Sequence, residues 1–268
     1  INASTVTSNL NFANTTSGSV VTTNAKSGTS KVSGSNSFAT GTISVTETVG
    51  ILAVDTVNSV AGITSNGGNI TLTNPASNIV LNNNVSTGST AAGNIKLDAS
   101  NGGGARVIQN AGSILANSLE VVTTASTSLA NVSNDVVTLA VAMGSSIPNH
   151  AFDYTDANSV DIGTAGGTSG ITTNSGNVTV TSVAGNVTQS QNITTGGTTA
   201  GSVKLDASAA GAVTQSGGTL TAQSLQVLAK NTSSLVQSNN VATLAANVSA
   251  GSFSYLDTSG FDVSLVGT

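Results

Sequence analysis

Cysteine and tryptophan are absent from this 268-residue chain, histidine occurs once, and lysine and arginine together number six. The lack of cysteine excludes disulfide staples and thiol chemistry and is neutral between cytosol and cell exterior. A single imidazole, His150, excludes any site built on paired histidines within one chain, and its place after Pro148-Asn149 predicts an ordinary residue at an exposed corner. So few basic groups, with a formal net charge of −5, make nucleic acid a poor partner. No apolar run approaches a membrane span and no basic-then-apolar leader opens the chain, so membrane insertion is not expected and any targeting signal lies outside this segment. Aromatics are only 3% of residues, and each buried Val or Leu contributes only about 1.5–3 kcal/mol, so a wide core cannot be filled. The core must be narrow and repeated many times.

What the chain does contain is Gly, Ser, Thr and Asn at a density often found in linkers. Disordered tracts combine low hydrophobicity with high net charge, whereas 38% of these residues are hydrophobic and only 6% are charged. The apolar residues are also regularly placed. Ile63 to Ser100 recurs 108 positions later as Ile171 to Ser208, with 20 of 38 residues identical. The copy continues as Asn117-Ser-Leu-Glu-Val-Val against Gln223-Ser-Leu-Gln-Val-Leu, and as Phe152-Asp-Tyr-Thr-Asp against Phe253-Ser-Tyr-Leu-Asp. The offset drifts from 108 to 106 to 101, as a solenoid allows when small deletions fall at its corners. A fainter copy precedes these, with Gly18-Ser-Val-Val-Thr-Thr and Phe38 echoing Asn134-Asp-Val-Val-Thr-Leu and Phe152. The expected organisation is one solenoid segment, residues 1–268, cut from a longer repeat protein: a partial repeat (1–61) and two further repeats (62–169 and 170–268).

Strand signals are short bursts such as Asn69-Ile-Thr-Leu-Thr, Asn94-Ile-Lys-Leu-Asp and Asp135-Val-Val-Thr-Leu, with Gly or Asn at most boundaries. Alternation puts Ile95 and Leu97 on a buried face and Lys96 and Asp98, like Lys204 and Asp206, side by side in solvent. No segment keeps a helical period, although Gly112 to Leu119 would pass for a single turn. The chief bursts recur about every 18–25 residues, which suits a coil of two or three strands turned by Gly, Asn or Ser. This predicts an all-β fold, a parallel β-helix (β-solenoid) of about twelve coils and a rod about 55–60 Å long. An antiparallel sandwich is the rival, and it is disfavoured by the lack of a regular Asn-Gly hairpin pattern.

Gly68 to Thr73, Gly176 to Thr181, Gly185 to Ser190 and Gly211 to Ser216 share a Gly-(Asn/Ala)-(Ile/Val)-Thr pattern. In these bursts the chain resembles the repeats of filamentous haemagglutinin-like bacterial exoproteins. The resemblance covers nearly the whole chain and implies a right-handed parallel β-helix, secretion to the bacterial cell surface, and work as an adhesin or fibre shaft.

Chemistry-bearing residues are sparse. Asp153, Asp156 and Asp161 are the densest acidic group, but their spacing matches no calcium loop, and the repeat copy offers Ser254, Asp257 and Ser264 instead, so solvated corners are expected. Glu47 and Glu120 are the only glutamates among nine scattered aspartates, and no acid and base pair suggests a polysaccharide-processing β-helix enzyme. Thr71/Thr73 and Thr179/Thr181 invite an ice-binding reading, but neighbouring bursts replace Thr by Lys, Gln or Val, so β-propensity explains them better. Sequons at Asn69, Asn84, Asn177, Asn186, Asn192 and Asn247 are read as structural ladders in which one amide bonds the next. No catalytic, cofactor-binding or metal residue is assigned, and no cofactor is expected. The expected function is a non-enzymatic extracellular shaft; the alternative is a filament or surface-layer subunit stacking end to end or laterally. Expected partners are other copies of the chain and a host or cell-surface glycan or protein.

Overall fold

The computed structural model describes residues 2–100, 103–144, 148–196 and 200–266. It is a β-solenoid of about eleven turns, one fewer than the spacing of the bursts predicts, and no helix occurs among the described residues. The count is lower because the coils are longer than the burst spacing suggests. Ile43, Ile70, Ile95 and Leu119, which lie one above another, are 27, 25 and 24 residues apart.

Each coil has three strand faces. On the first, Val20, Ile43, Ile70, Ile95, Leu119 and Leu139 are successive parallel partners. On the second, Leu52 lies under Ile79 and Val107, and the line continues from Thr127 through Phe152, Val178, Val203 and Leu225 to Leu244. On the third, Gly34, Ile63, Val85 and Ile114 stack. Period-2 alternation sends every second residue inward, so Ile70 and Leu72 are buried while Thr71 and Thr73 lie partly open. Backbone N–H and C=O groups are spent between coils, and the aliphatic side chains make one continuous cluster along the axis. The segment that would pass for a helical turn, Gly112 to Leu119, instead enters the strand Ile114–Thr123, which joins the third face to the first.

The sequence repeat and the coil are out of phase. Four coils separate Ile43 from Leu139 on the first face, yet Phe152, which lies one coil below Val178 as Ile43 lies below Ile70, stands on the second face in line with Leu52 and Ile79. Ile70 and Ile95 likewise correspond to Val178 and Val203 on the second face. Ile63 and Val85 of the third face correspond to Ile171 and Ile193, which stack on Val141, a first-face residue above Val121. One repeat is therefore four coils plus one face, and equivalent residues are rotated by a third of a turn around the rod. The echo of Phe38 in Phe152 does not carry into the fold: Phe38 is exposed at a corner while Phe152 is in the core.

Two antiparallel hairpins, Thr56–Val57 with Val60–Ala61 and Thr164–Ala165 with Thr168–Ser169, interrupt the coils at equivalent places. The first turns on Asn58 (φ 52°) and Ser59 (φ 67°), both left-handed, as a two-residue primed turn requires. It folds back along the rod, where Asn11 Nδ2 donates to Val57 O (3.1 Å) and to Ser33 Oγ (2.9 Å).

Corners where coils touch most closely need glycine. A Cβ on Gly211 would lie 1.7 Å from Gly185 O in the coil below. Gly211→Ala should therefore cost about 1–3 kcal/mol through overpacking, whereas Gly103→Ala, with nothing within 4 Å of its added Cβ, should be near neutral. Denaturant midpoints of the two variants check this, and equal midpoints would contradict the stacking at that corner.

Candidate functional site on the outer faces

A polar cleft lies on the first face beneath the second hairpin. Thr71, Lys96 and Glu120 are outward-facing register partners in three successive coils. Glu120 is 5% exposed because the hairpin lies over it: Thr168 Oγ1 donates to Glu120 Oε1 (2.8 Å), and Gly167 N donates to the same oxygen (3.3 Å). Lys96 Nζ sits 3.6 Å from Glu120 Oε2 and 3.4 Å from Asp98 Oδ2, so Lys96 and Asp98 form an ion pair and are not merely side by side in solvent. The cleft between hairpin and coils holds about 160 Å³ and is lined by Asn69, Asn94, Lys96, Ser118, Glu120 and Gly166. Its one carboxylate and one ammonium group already serve each other, so it has no free acid or base. In the next repeat Lys204 again pairs with Asp206 (3.4 Å), but Gln226 is its partner in the coil above where Glu120 stood above Lys96.

The three grouped aspartates do not converge. Asp153 faces outward and accepts from Ser128 Oγ (3.1 Å). Asp161 is partly buried and accepts from Ser190 Oγ (2.6 Å); burial pushes its carboxyl above the ordinary value despite that donor. Asp156 is no solvated corner. At 0% exposed it accepts from Tyr154 Oη (2.7 Å), Val136 N (3.0 Å) and Asn158 N (2.8 Å), and burial raises its carboxyl pKa in spite of those donors. Period 2 explains the position, since Phe152, Tyr154 and Asp156 all point inward. Burial, reinforced by the Asp156 carboxylate, likewise holds the Tyr154 hydroxyl well above its ordinary value.

The repeat copy keeps the Tyr-x-Asp bond, with Tyr255 Oη donating to Asp257 Oδ2 (2.9 Å) and Val241 N to the same atom (3.0 Å). At Asp257 burial again pushes the carboxyl up, but Ser259 N, Val241 N and the Tyr255 and Ser259 hydroxyls outweigh it, leaving the group below its ordinary value. Ser254 pairs with Ser234 in the ladder, and Ser264 N donates to Leu244 O (3.2 Å). Among the described residues no group of three or more His, Asp or Glu side chains is placed to hold a metal ion.

His150 is half-buried, contrary to the exposed corner expected, with Nδ1 3.5 Å from Ser126 Oγ and Nε2 shielded from solvent. Glu47 is buried and accepts from Val49 N (2.9 Å) and Gly50 N (3.1 Å), closing a turn. The threonine pairs build no flat rank: Thr71 lies between Ser44 and Lys96, and Thr179 between Asp153 and Lys204. Most of the sequon asparagines do bridge coils, but through the backbone. Asn69 Oδ1 accepts Asn94 N (2.9 Å) and Asn177 Oδ1 accepts Ser202 N (2.9 Å). Amide-to-amide bonds join other residues, at the more enclosed corners Asn14–Asn36, Gln109–Asn134 and Gln215–Asn239 and on the exposed surface at Asn82–Asn110 and Asn94–Asn117. Sequence reading missed the hairpins, the shielding of Glu120 and these corner pairs.

Comparison with protein-family models, curated proteins and solved structures finds no match to the chain. No helix among the described residues is long and apolar enough to cross a membrane.

Two outcomes follow from this geometry. The raised Asp156 carboxyl contributes stability that is fully present below the unfolded value near 3.8 and lost as pH rises through its folded value; the lowered Asp257 carboxyl contributes stability above 3.8 that is lost as pH falls. Relative to Asp156→Asn, the unaltered protein should lose stability as pH rises above about 3.8; relative to Asp257→Asn it should lose stability as pH falls below about 3.8, both read from denaturant midpoints. Glu120→Ala should release the second hairpin, raising amide exchange at Gly166 to Thr168 at least tenfold while Leu119 and Val121 stay protected.

Proposed function

We propose that this chain is the shaft of an adhesin or fibre displayed outside a bacterial cell, akin to filamentous haemagglutinin-like exoproteins and without a catalytic role. The observation that supports the reading best is the unbroken parallel ladder: about eleven turns spaced by about 4.8 Å make a rod about 50–55 Å long from side chains no larger than tyrosine. Such a rod sets distance by coil number, and each further repeat extends it without new chemistry. Its outer faces carry hydroxyls, amides and a few paired charges, suited to many weak contacts with a surface glycan or protein. They lack the basic stripe that nucleic acid binding requires. Several acidic residues are held in structural bonds, as Asp156 is, or paired, as Asp98 is, which weighs against glycoside chemistry.

A second reading, a subunit that stacks end to end, draws on the same ladder, since every coil presents to the next the backbone edge on which a further copy would pair. Lateral stacking is less favoured where the hairpins fold back over the faces.

Negative-stain electron microscopy of the purified segment tests both. Single short rods that bind immobilised cell-surface glycan or protein, and release no reducing sugar from a glycan panel, are the expected result; rods in multiples of the unit length would favour the stacking subunit. Compact particles, or sugar release abolished by a single aspartate substitution, would overturn the shaft.

A further inference from the structure

Five of the sequon asparagines, Asn69, Asn84, Asn177, Asn186 and Asn192, occupy one structural position. Each is exposed, each directly precedes a buried Ile or Val that lies in a strand, and each spends its Oδ1 on a backbone N–H one coil further on. The donors are Asn94 N (2.9 Å), Ser113 N (2.8 Å), Ser202 N (2.9 Å), Ala212 N (2.8 Å) and Thr219 N (2.8 Å) respectively. The Nδ2 atoms of the five donate to no protein atom among the described residues, and the hydroxyl residues two places on, Thr71, Ser86, Thr179, Thr188 and Thr194, lie partly open.

We infer that these five residues are acceptors for N-linked sugar, so that the rod is a glycan carrier. Transfer forms a bond from Nδ2 to the anomeric carbon of a sugar activated as a nucleotide or lipid diphosphate. The C–O bond to the diphosphate breaks, and one amide proton leaves to a base on the cell's glycosyltransferase. The carbonyl oxygen is untouched and one N–H remains. The bridge to the next coil therefore survives, and the replaced hydrogen is one the fold does not use.

Two other sequons are shut. Asn14, 5% exposed, donates through Nδ2 to Ser17 O (3.1 Å), Gly18 O (3.2 Å) and Asn36 Oδ1 (3.2 Å), and Asn131 donates to Gly112 O (2.6 Å). A sugar at either would remove a bond the corner depends on. The phase of the repeat adds a geometrical consequence. Asn69 precedes a first-face residue and Asn192 one stacked on first-face Val141, Asn177 precedes a second-face residue and Asn84 a third-face residue, so the sugars would surround the rod.

Site-resolved mass spectrometry of the chain purified from the cells that produce it tests this. Sugar on the five, with Asn14 and Asn131 bare, is the expected result; a ladder of single-sugar masses marks a nucleotide-sugar donor and one large oligosaccharide mass a lipid-linked one. Thr71→Val should abolish sugar at Asn69 alone while leaving the melting temperature of enzymatically deglycosylated protein unchanged. Five bare asparagines, or sugar on Asn14 or Asn131 as abundant as on the five, would overturn it.

Discussion

The in-register parallel stacking of one coil on the next governs everything else in this molecule. Each strand satisfies its backbone N–H and C=O groups with the turns before and after it, and each inward side chain sits on an inward side chain of the same face. With the backbone carrying cohesion, Ile, Val, Leu and Ala suffice for the interior, and neither disulfides nor large aromatic clusters are needed. The same stacking sets the corner rules. Glycine appears where the adjacent coil leaves no room, as at Gly211, and asparagine where an N–H of the next coil would otherwise go unbonded, as at Asn186.

Much of this was legible in the chain. Alternation in Asn94-Ile-Lys-Leu-Asp marks strand and buried face, and the copied text from Ile63 and from Ile171 marks an array. The phase between repeat and coil was not legible, because it depends on coil length, and bursts spaced by 18–25 residues bound that length too loosely to separate four coils from four and a third. The hairpins escaped notice because Asn58-Ser59 and Gly166-Gly167 look like any corner in a chain with 30 glycines. Asp156 was misjudged by weighing its charge over its period; two places beyond Tyr154, it must point inward, and Tyr154 supplies the donor that makes this tolerable.

The third-of-a-turn rotation per repeat gives the surface its character. Features that recur in sequence do not line up along one side of the rod: the hairpins, the Lys-x-Asp pairs and the corner asparagines move from face to face. Each hairpin also folds back over its own coils, the first onto Asn11 and Ser33 and the second onto Glu120, covering part of one face. A rod built this way shows similar chemistry in every direction and no long flat face to a neighbouring rod.

Because the chain has no cysteine, the register can be read directly with introduced pairs. Thr188 and Thr214 are partners on adjacent coils with hydroxyl oxygens 3.4 Å apart. Parallel neighbours about 4.8 Å apart fall within disulfide reach. Mild oxidation of the Thr188→Cys, Thr214→Cys double variant should close a disulfide nearly quantitatively in the folded protein, whereas Thr188→Cys with Gln215→Cys should stay reduced. Linkage of the second pair, or of neither, would contradict the stacked register on which the account rests.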